Sequence, residues 1–263
     1  MNHRGGFALI KATWFSWMQY RSFFFVLAFG WMIPPLVALF VWSAAAGEGS
    51  LGGFTRGEFI TYYLVLVLVN QITYAQVNWT VGDIIREGTL NHWLLKPLSA
   101  IYQALSSELA GKVVYLIFVI PVGLLLAILL KPEIQTTPIN FVLSLVATLF
   151  AWGLRFAWGF WLAILAFWIT RADSFLALQD SLVFIFSGMV APIPLLQGSL
   201  QQIANILPFR YMVGFPVEIL VYDLSNKAIL FGFLMQLTWL AIAVLLSRTL
   251  WVKGIRHYSA VGG

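Results

Sequence analysis

Residues 109–130, LAGKVVYLIFVIPVGLLLAILL, decide the fold class of this chain. Lys112 is the single charged residue of this segment, and eighteen uncharged residues follow it. As an α-helix the segment would reach about 33 Å, at about 1.5 Å per residue. The hydrocarbon core of a bilayer is about 30 Å thick. The segment therefore predicts a helix that crosses a membrane.

Five further apolar blocks have a comparable character. The predicted spans are residues 23–44, 59–81, 109–130 and 139–169, a fifth that starts near Phe175 and breaks at Pro192 and Pro194, and residues 228–251. Of the 263 residues, 61% are hydrophobic and 10% are charged, whereas a soluble domain has about 45–50% apolar and about 25% charged residues. The composition excludes a water-soluble fold and predicts an all-α integral membrane protein with six transmembrane helices.

The basic residues and the tryptophans favour a membrane rather than a nucleic acid as the surroundings of this chain. The net charge is +5, but the basic residues stand at the ends of the apolar blocks, as do several of the twelve tryptophans. This distribution is typical of lipid interfaces, so we expect membrane lipids and no nucleic acid among the partners. The chain has no cysteine, which excludes disulfides and thiolate metal sites.

Two features of the N-terminal region bear on topology. Residues 7–21 place five apolar side chains on one helical face, which predicts an interfacial helix, although the segment could instead extend the first span. The first span is full length and follows about twenty residues, so we expect no cleaved signal peptide.

With six spans, ten Lys and Arg residues fall on the side of the termini and four on the other. The positive-inside rule then places both termini in the cytoplasm.

Residues 195–227 form neither a clean span nor a clean loop, because prolines and charges interrupt the apolar runs. We expect two short helices that dip into the membrane from outside and return, lining the outer end of a pathway. An ordinary extracellular loop is the alternative. The candidate gate residues of this region and of the end of span five are Pro192, Pro194, Pro208, Arg210, Pro216 and Glu218.

Arg155 lies in the middle of the predicted fourth span. An unpaired charge at that depth costs at least about 2.5–3.5 kcal/mol, so the side chain is expected to face a polar cavity or a partner. It could contact a polar or anionic substrate group in a translocation path. It could equally form an ion pair with Asp180 or Glu218, or a contact in a dimer.

The sequence gives no support to an enzyme. All three histidines lie outside the predicted hydrocarbon, and neither an HExxH nor a GxxxxGK[ST] motif occurs. We expect no catalytic residue, no metal site and no cofactor in this chain. If ATP drives the protein, another chain must bind it.

Residues 83–99 are polar enough to leave the membrane between spans two and three, and residues 85–98 read IREGTLNHWLLKPL. The pattern predicts a short helix that Thr89 caps and Pro97 ends. Leu90, Trp93 and Leu94 would form an apolar stripe at i, i+3, i+4 spacing. Such a helix is suited to docking in a groove of a soluble partner, and a connector on the membrane surface is the alternative.

This segment resembles the pattern E–x(0–2)–G–T–L–x–x–L–L–x–x–P between spans two and three of ABC-2-type transporter permeases. The residues that carry the likeness are Glu87, Gly88, Thr89, Leu90, Trp93, Leu94 and Pro97. Residues 207–211, LPFRY, with Pro216 resemble the LPF-x-Y…P stretch of the same family. Residues 251–263, WVKGIRHYSAVGG, resemble the W-x-x-G-x-R-x-Y-x-x-x-G-G tails of one bacterial branch.

The resemblance implies a single permease domain over residues 1–263, in the inner (plasma) membrane of a bacterium. It implies that residues 83–99 carry a coupling helix for nucleotide-binding ATPase subunits, which would bind the ATP and magnesium. It further implies a dimer with an identical or homologous permease and export of a drug, a lipid or a glycolipid-like substrate. The rival is a secondary transporter or channel without an ATPase. That rival needs intramembrane carboxylates, for which Asp180 and Glu218 are the candidates.

Overall fold

The computed structural model describes residues 3–133, 136–169 and 173–258. These residues form helices α1 (His3–Gln19), α2 (Arg21–Ala46), α3 (Arg56–Thr73), α4 (Val77–Arg86), α5 (Asn91–Leu94), α6 (Ala100–Leu130), α7 (Pro138–Ile164), α8 (Asp173–Phe186), α9 (Ser199–Ile206), α10 (Pro208–Met212), α11 (Gly214–Val221) and α12 (Asn226–Gly254). Single turns of 3-10 helix cover Leu165–Phe167 and Ile193–Leu195. Strands β1 (Ser50–Leu51) and β2 (Phe54–Thr55) pair antiparallel in a short ribbon.

Five segments of the described chain are long and apolar enough to cross a membrane. They are Ser22–Ala46, Arg56–Arg86, Ala100–Leu130, Pro138–Phe167 and Asn226–Gly254. The prediction of an all-α membrane protein is confirmed. Predicted spans one, two, three and six fall within these segments, whereas predicted span four, residues 139–169, ends two residues beyond Pro138–Phe167. Helix α6 differs most from its prediction, because it begins nine residues before the predicted start of span three.

The second span is broken, although the sequence predicted one continuous helix over residues 59–81. Helix α3 ends at Thr73 and α4 begins at Val77, and Tyr74 between them has the extended backbone angles φ −54° and ψ 133°. The break contains neither proline nor glycine, so it carries no local sequence signal. Side-chain contacts from α7, described below, hold the end of α3 in place.

The predicted fifth span is shorter than a crossing helix and does not end at its prolines. Helix α8 has 14 residues, which is about 21 Å of helix against a hydrocarbon core of about 30 Å. It ends at Phe186, and the chain turns at Gly188, where φ is +92° and a Cβ would lie 2.3 Å from the Tyr62 hydroxyl oxygen. The Tyr62 hydroxyl donates to the Gly188 carbonyl at 3.1 Å. The turn therefore precedes Pro192 and Pro194 by several residues.

Three short helices, α9 to α11, occupy the region for which the sequence predicted two. Helices α10 and α11 are buried against α7, and α11 also contacts α3. Pro208 stands in the first turn of α10, and its fixed φ suits that position. The Ser144 hydroxyl donates to the Pro216 carbonyl at 2.7 Å, so α7 also fixes α11 by a side-chain hydrogen bond.

Helix α7 is the centre of the bundle, because α12, α4 and α11 all pack along it. Polar side chains join α12 to the neighbouring elements: Gln236 Nε2 donates to the carbonyls of Ala147 and Tyr211, and the Ser247 hydroxyl donates to Ala157. Such interhelical bonds are common where lipid removes the hydrophobic drive between helices. Helix α1 packs along α6 and is separated from α2 at Tyr20, so it does not extend the first span.

Candidate functional site

A groove lies between α2 and α8, with the break of span two at its floor. One cavity of about 470 Å³ is lined by Trp31 of α2, by Tyr74, Gln76 and Trp79 near the break, and by Asp180 of α8. A second cavity of about 290 Å³ shares Trp31, Tyr74 and Asp180 with the first. We call this pair of cavities the α2–α8 groove.

Arg155 of α7 lies at the floor of the second cavity. Its Nη1 donates to Asn70 Oδ1 at 2.8 Å and to Thr73 Oγ1 at 3.1 Å, and its guanidinium lies 5.2 Å from the centre of the Tyr74 ring. Asn70 and Thr73 lie in the last turn of α3, and Tyr74 is the first residue of the break. The structure thus places Arg155 where it both ties down the end of α3 and lines a cavity.

Asp180 faces the same cavity as Arg155 but does not touch it. Within the described residues the pair interacts electrostatically without forming an ion pair. The Asp180 carboxylate accepts a hydrogen bond from Gln179 Nε2 at 3.0 Å. The other proposed counter-ion, Glu218, is bound to Arg210 instead, so an Arg155–Glu218 ion pair is wrong.

Sequence reasoning did not single out the α6 residues that face the break. Glu108 is buried, Lys112 is half-buried, and the Tyr115 hydroxyl accepts a hydrogen bond from Gln76 Nε2 at 3.0 Å. The predicted third span began at residue 109, which left Glu108 before it and Lys112 in its first turn, but α6 begins at Ala100 and carries both inside the helix. Their i, i+4, i+7 spacing is the signal that could have identified one polar face.

The 87–97 loop, which follows α4, differs from the predicted capped helix. Helix α5 covers only Asn91–Leu94 and has no side-chain cap, because the Thr89 hydroxyl donates to the Ile84 carbonyl instead. Leu90 is fully buried against α4 and α7, whereas Leu94 is 42% exposed and Leu95 is 84% exposed. The predicted stripe is therefore divided, and its exposed part consists of Leu94 and Leu95. Glu87 and Pro97 are also exposed, and Trp93 is half-buried.

The C-terminal segment holds this loop in place, which sequence reasoning missed. The Tyr258 hydroxyl donates to the Gly88 carbonyl at 2.6 Å and accepts the Asn91 backbone N–H at 3.2 Å. Gly88 has φ +70°, a conformation that favours glycine. Tyr258 belongs to the tail motif of residues 251–263, of which residues 259–263 lie outside the described part of the chain. The tail motif thus includes a residue that fixes the shape of the loop.

Replacement of Tyr258 by phenylalanine is expected to loosen the 87–97 loop without unfolding the bundle. The change removes both hydrogen bonds, each worth about 0.5–1.5 kcal/mol, so local opening should become about tenfold more frequent. Hydrogen–deuterium exchange of the Asn91 amide measures this opening, and Tyr20→Phe at an exposed tyrosine is the matched control. Equal exchange of the Asn91 amide in Tyr258→Phe and in the wild type would show that the Tyr258 hydrogen bonds do not hold the loop.

Arg210 and Glu218 form a buried ion pair between α10 and α11. Arg210 Nε lies 3.2 and 3.1 Å from the two carboxylate oxygens, and Nη2 lies 2.5 Å from Oε2. Arg210 Nη1 also donates to Asn205 Oδ1 at 2.6 Å. Burial opposes the guanidinium charge, but the Glu218 carboxylate holds the pKa of Arg210 above its ordinary value. The structure therefore brings two predicted gate residues into one structural unit.

A family model described as ABC-2 family transporter protein matches residues 29–262. The chain belongs to this family. The match begins within α2 and runs through the tail, so it covers the whole smaller cavity of the groove, the 87–97 loop and the Arg210–Glu218 pair. The protein is thus an ABC-2 transporter permease and a multi-pass membrane protein. Comparison with curated proteins and with solved structures gave no match.

In this ABC-2 permease, α4 connects two of the features described above. It begins at Val77, beside the groove, and ends at Arg86, directly before the 87–97 loop. Helix α4 packs along α7, and Gly159 of α7 allows this approach because a Cβ there would lie 3.0 Å from Val77 Cγ1. Helix α4 therefore joins the 87–97 loop to the floor of the groove by one continuous helix.

Proposed function

We propose that this permease is the membrane subunit of an ATP-driven bacterial exporter. Two nucleotide-binding subunits dock on its cytoplasmic face and bind the ATP and magnesium. The permease dimerises with itself or with a homologous permease, and substrate crosses the inner membrane at the dimer interface. The observation that carries the proposal is the 87–97 loop in a member of this family, with Leu94 and Leu95 exposed on a backbone that Tyr258 fixes.

The break in span two supplies a mechanism for coupling. Closure of the ATPase subunits on ATP pushes the 87–97 loop, and the loop moves α4 against α3 at Tyr74–Gln76. Arg155 holds the α3 side of this break through Asn70 and Thr73. The groove on the other side of Tyr74 therefore changes shape when the loop moves.

The topology of the proposal has six crossings and cytoplasmic termini. Helix α8 makes the fifth crossing together with the turn that follows it, in which Ser187, Met189 and Ile193 are buried in protein. Non-helical backbone is tolerated at membrane depth where protein covers it. Helices α9 to α11 form the re-entrant extracellular region over residues 195–227. Pro192 and Pro194 lie directly before this region, Pro208 begins α10, and Pro216 lies in the first turn of α11. Helix α1 forms the interfacial helix.

One observation favours the rival, a secondary transporter that works without an ATPase. Asp180 is a carboxylate in the groove, and such groups can couple transport to ions. Glu218, the other candidate, is occupied by Arg210. Of the two carboxylates predicted for it, the rival therefore retains Asp180.

Purification of the tagged chain from its native membrane distinguishes the two. An ATPase subunit is expected to co-purify, and proteoliposomes containing the complex should lose transport when that ATPase carries an inactivating substitution. Transport by the permease alone, driven by an ion gradient and abolished in Asp180→Asn, would establish the rival instead.

A further inference from the structure

We infer that the α2–α8 groove binds the headgroup of a zwitterionic amphiphile, with its anionic group on Arg155 and its cationic group beside Asp180. The inference deepens the proposed function and rests on it, since it names the substrate class. Arg155 and Asp180 line one groove without contacting each other, and the carboxylate of Asp83, which also lines the larger cavity, is paired with Arg86. The following observations identify what Arg155 and Asp180 can bind.

Arg155 is a cation with unused donors. Both of its hydrogen bonds are made by Nη1, so within the described residues Nε and Nη2 have no hydrogen-bond partner. Its partners Asn70 and Thr73 are neutral and leave the guanidinium charge without a contacting anion. A phosphate or carboxylate accepts two parallel bonds from such a fork. The charge is held in place by Asn70, Thr73 and the Tyr74 ring, so little order has to be created on binding.

Asp180 is the complementary anion, and its surroundings suit an organic cation. It lines both cavities, and the larger one is walled by the aromatic rings of Trp17, Trp31, Tyr74 and Trp79. Aromatic faces attract ammonium groups, and this attraction increases when the groups are desolvated. The Asp180 carboxylate adds a full negative charge at the same place.

A ligand with one charge would leave the other groove charge uncompensated at membrane depth, which is costly. An anionic amphiphile would bind Arg155 but would be repelled by Asp180. A cationic amphiphile would bind beside Asp180 but would be repelled by Arg155. A headgroup with both charges compensates both residues. The apolar part of such a molecule fits the apolar wall of the smaller cavity, which Pro34, Val183, Phe184 and Met189 form beside Ser181.

Three ligands with the same six-carbon tail test the inference: hexylphosphocholine, hexyl phosphate and hexyltrimethylammonium. Each is titrated into the full chain in a neutral maltoside detergent, and tryptophan fluorescence reports binding because Trp31 and Trp79 line the groove. Hexylphosphocholine is expected to bind at least about tenfold more tightly than either singly charged ligand. Equal or tighter binding of hexyl phosphate or of hexyltrimethylammonium overturns the inference, and this comparison needs only the wild type.

Two variants assign the contacts. Arg155→Gln should weaken the binding of hexylphosphocholine and of hexyl phosphate about tenfold and leave the binding of hexyltrimethylammonium unchanged. Asp180→Asn should weaken the binding of hexylphosphocholine and of hexyltrimethylammonium and leave the binding of hexyl phosphate unchanged. The matched controls are Arg248→Gln and Asp223→Asn, both at exposed residues. If both groove variants bind all three ligands as the wild type does, the groove is not the site.

The binding measurement needs no ATPase, so it fails independently of the proposed function. If the permease transports with its ATPase but does not bind hexylphosphocholine more tightly than the singly charged ligands, the inference alone is overturned. A preserved preference in a permease that transports without any ATPase overturns the exporter alone.

Discussion

Replacement of Arg210 by leucine is expected to destabilise the permease by about 3–5 kcal/mol, the usual effect of breaking a buried ion pair. Glu218 is 1% exposed and would lose the fork of hydrogen bonds from Arg210 that compensates the burial of its carboxyl group. The change also removes the Arg210 bond to Asn205, which lies at the end of α9. Helices α9, α10 and α11 would then lose the side chain that bonds to both α9 and α11, while the Tyr211 hydroxyl still joins α10 to α9. Equilibrium unfolding from neutral micelles with increasing dodecyl sulfate measures the effect.

The double variant Arg210→Leu/Glu218→Leu separates the loss of the pair from the loss of volume. Removing both charges leaves no buried charge behind, and apolar replacements of ion pairs are often close to neutral. We expect the double variant to recover at least half of the stability lost in Arg210→Leu. Arg248→Leu, at an exposed position of α12, is the control for the loss of one arginine. Full stability of the single variant would show that the pair contributes nothing.

The helical membrane fold could be predicted from sequence because apolar length is a local property. Residues 109–130 show by composition alone that they cross a bilayer, and they lie within α6. The break at Tyr74–Gln76 could not be predicted from local sequence, since the side chain that binds the end of α3 is Arg155, some eighty residues further along the chain. The end of α8 at Phe186 likewise depends on Gly188 and on a hydroxyl from α3, whereas the nearby prolines suggested a later stop.

The charged residues were easier to identify than to pair. Four charged residues are conspicuous in apolar sequence: Arg155, Asp180, Arg210 and Glu218. The first two line the groove, and the last two form an ion pair. Arg210 and Glu218 are eight residues apart, and only the turn between α10 and α11 brings them together. Periodicity in a single helix cannot show such a pairing.

The same limit applies to the loop between spans two and three. Helical spacing grouped Leu90 with Leu94, but the glycine turn at Gly88 and the Tyr258 bonds rotate the segment so that Leu90 enters the core. The exposed apolar residues are therefore Leu94 and its neighbour Leu95, which spacing alone did not select.

Leu95→Asp is expected to leave the permease folded and to uncouple it from its ATPase. The side chain is 84% exposed, and exposed substitutions usually change stability by no more than about 0.5 kcal/mol. A docked partner would bury the new carboxylate in an apolar contact, which costs at least about 1–3 kcal/mol even for neutral polar groups. Substrate-stimulated ATP hydrolysis by the reconstituted complex should therefore fall at least about tenfold, and Leu94→Asp should act in the same direction.

The control for this experiment is Leu51→Asp, which places the same charge on an exposed leucine of β1, in the connection between α2 and α3. That connection lies on the opposite side of the proposed topology from the 87–97 loop, so Leu51→Asp should keep wild-type stimulation. Leu90→Asp is the contrasting variant, because it puts a carboxylate into the core and should reduce the folded yield itself. Leu95→Asp, Leu51→Asp and Leu90→Asp thus distinguish three causes of reduced ATP hydrolysis: lost docking of the ATPase, an added surface charge and lost folding of the permease. Wild-type hydrolysis in a correctly assembled Leu95→Asp complex would show that the ATPase docks elsewhere.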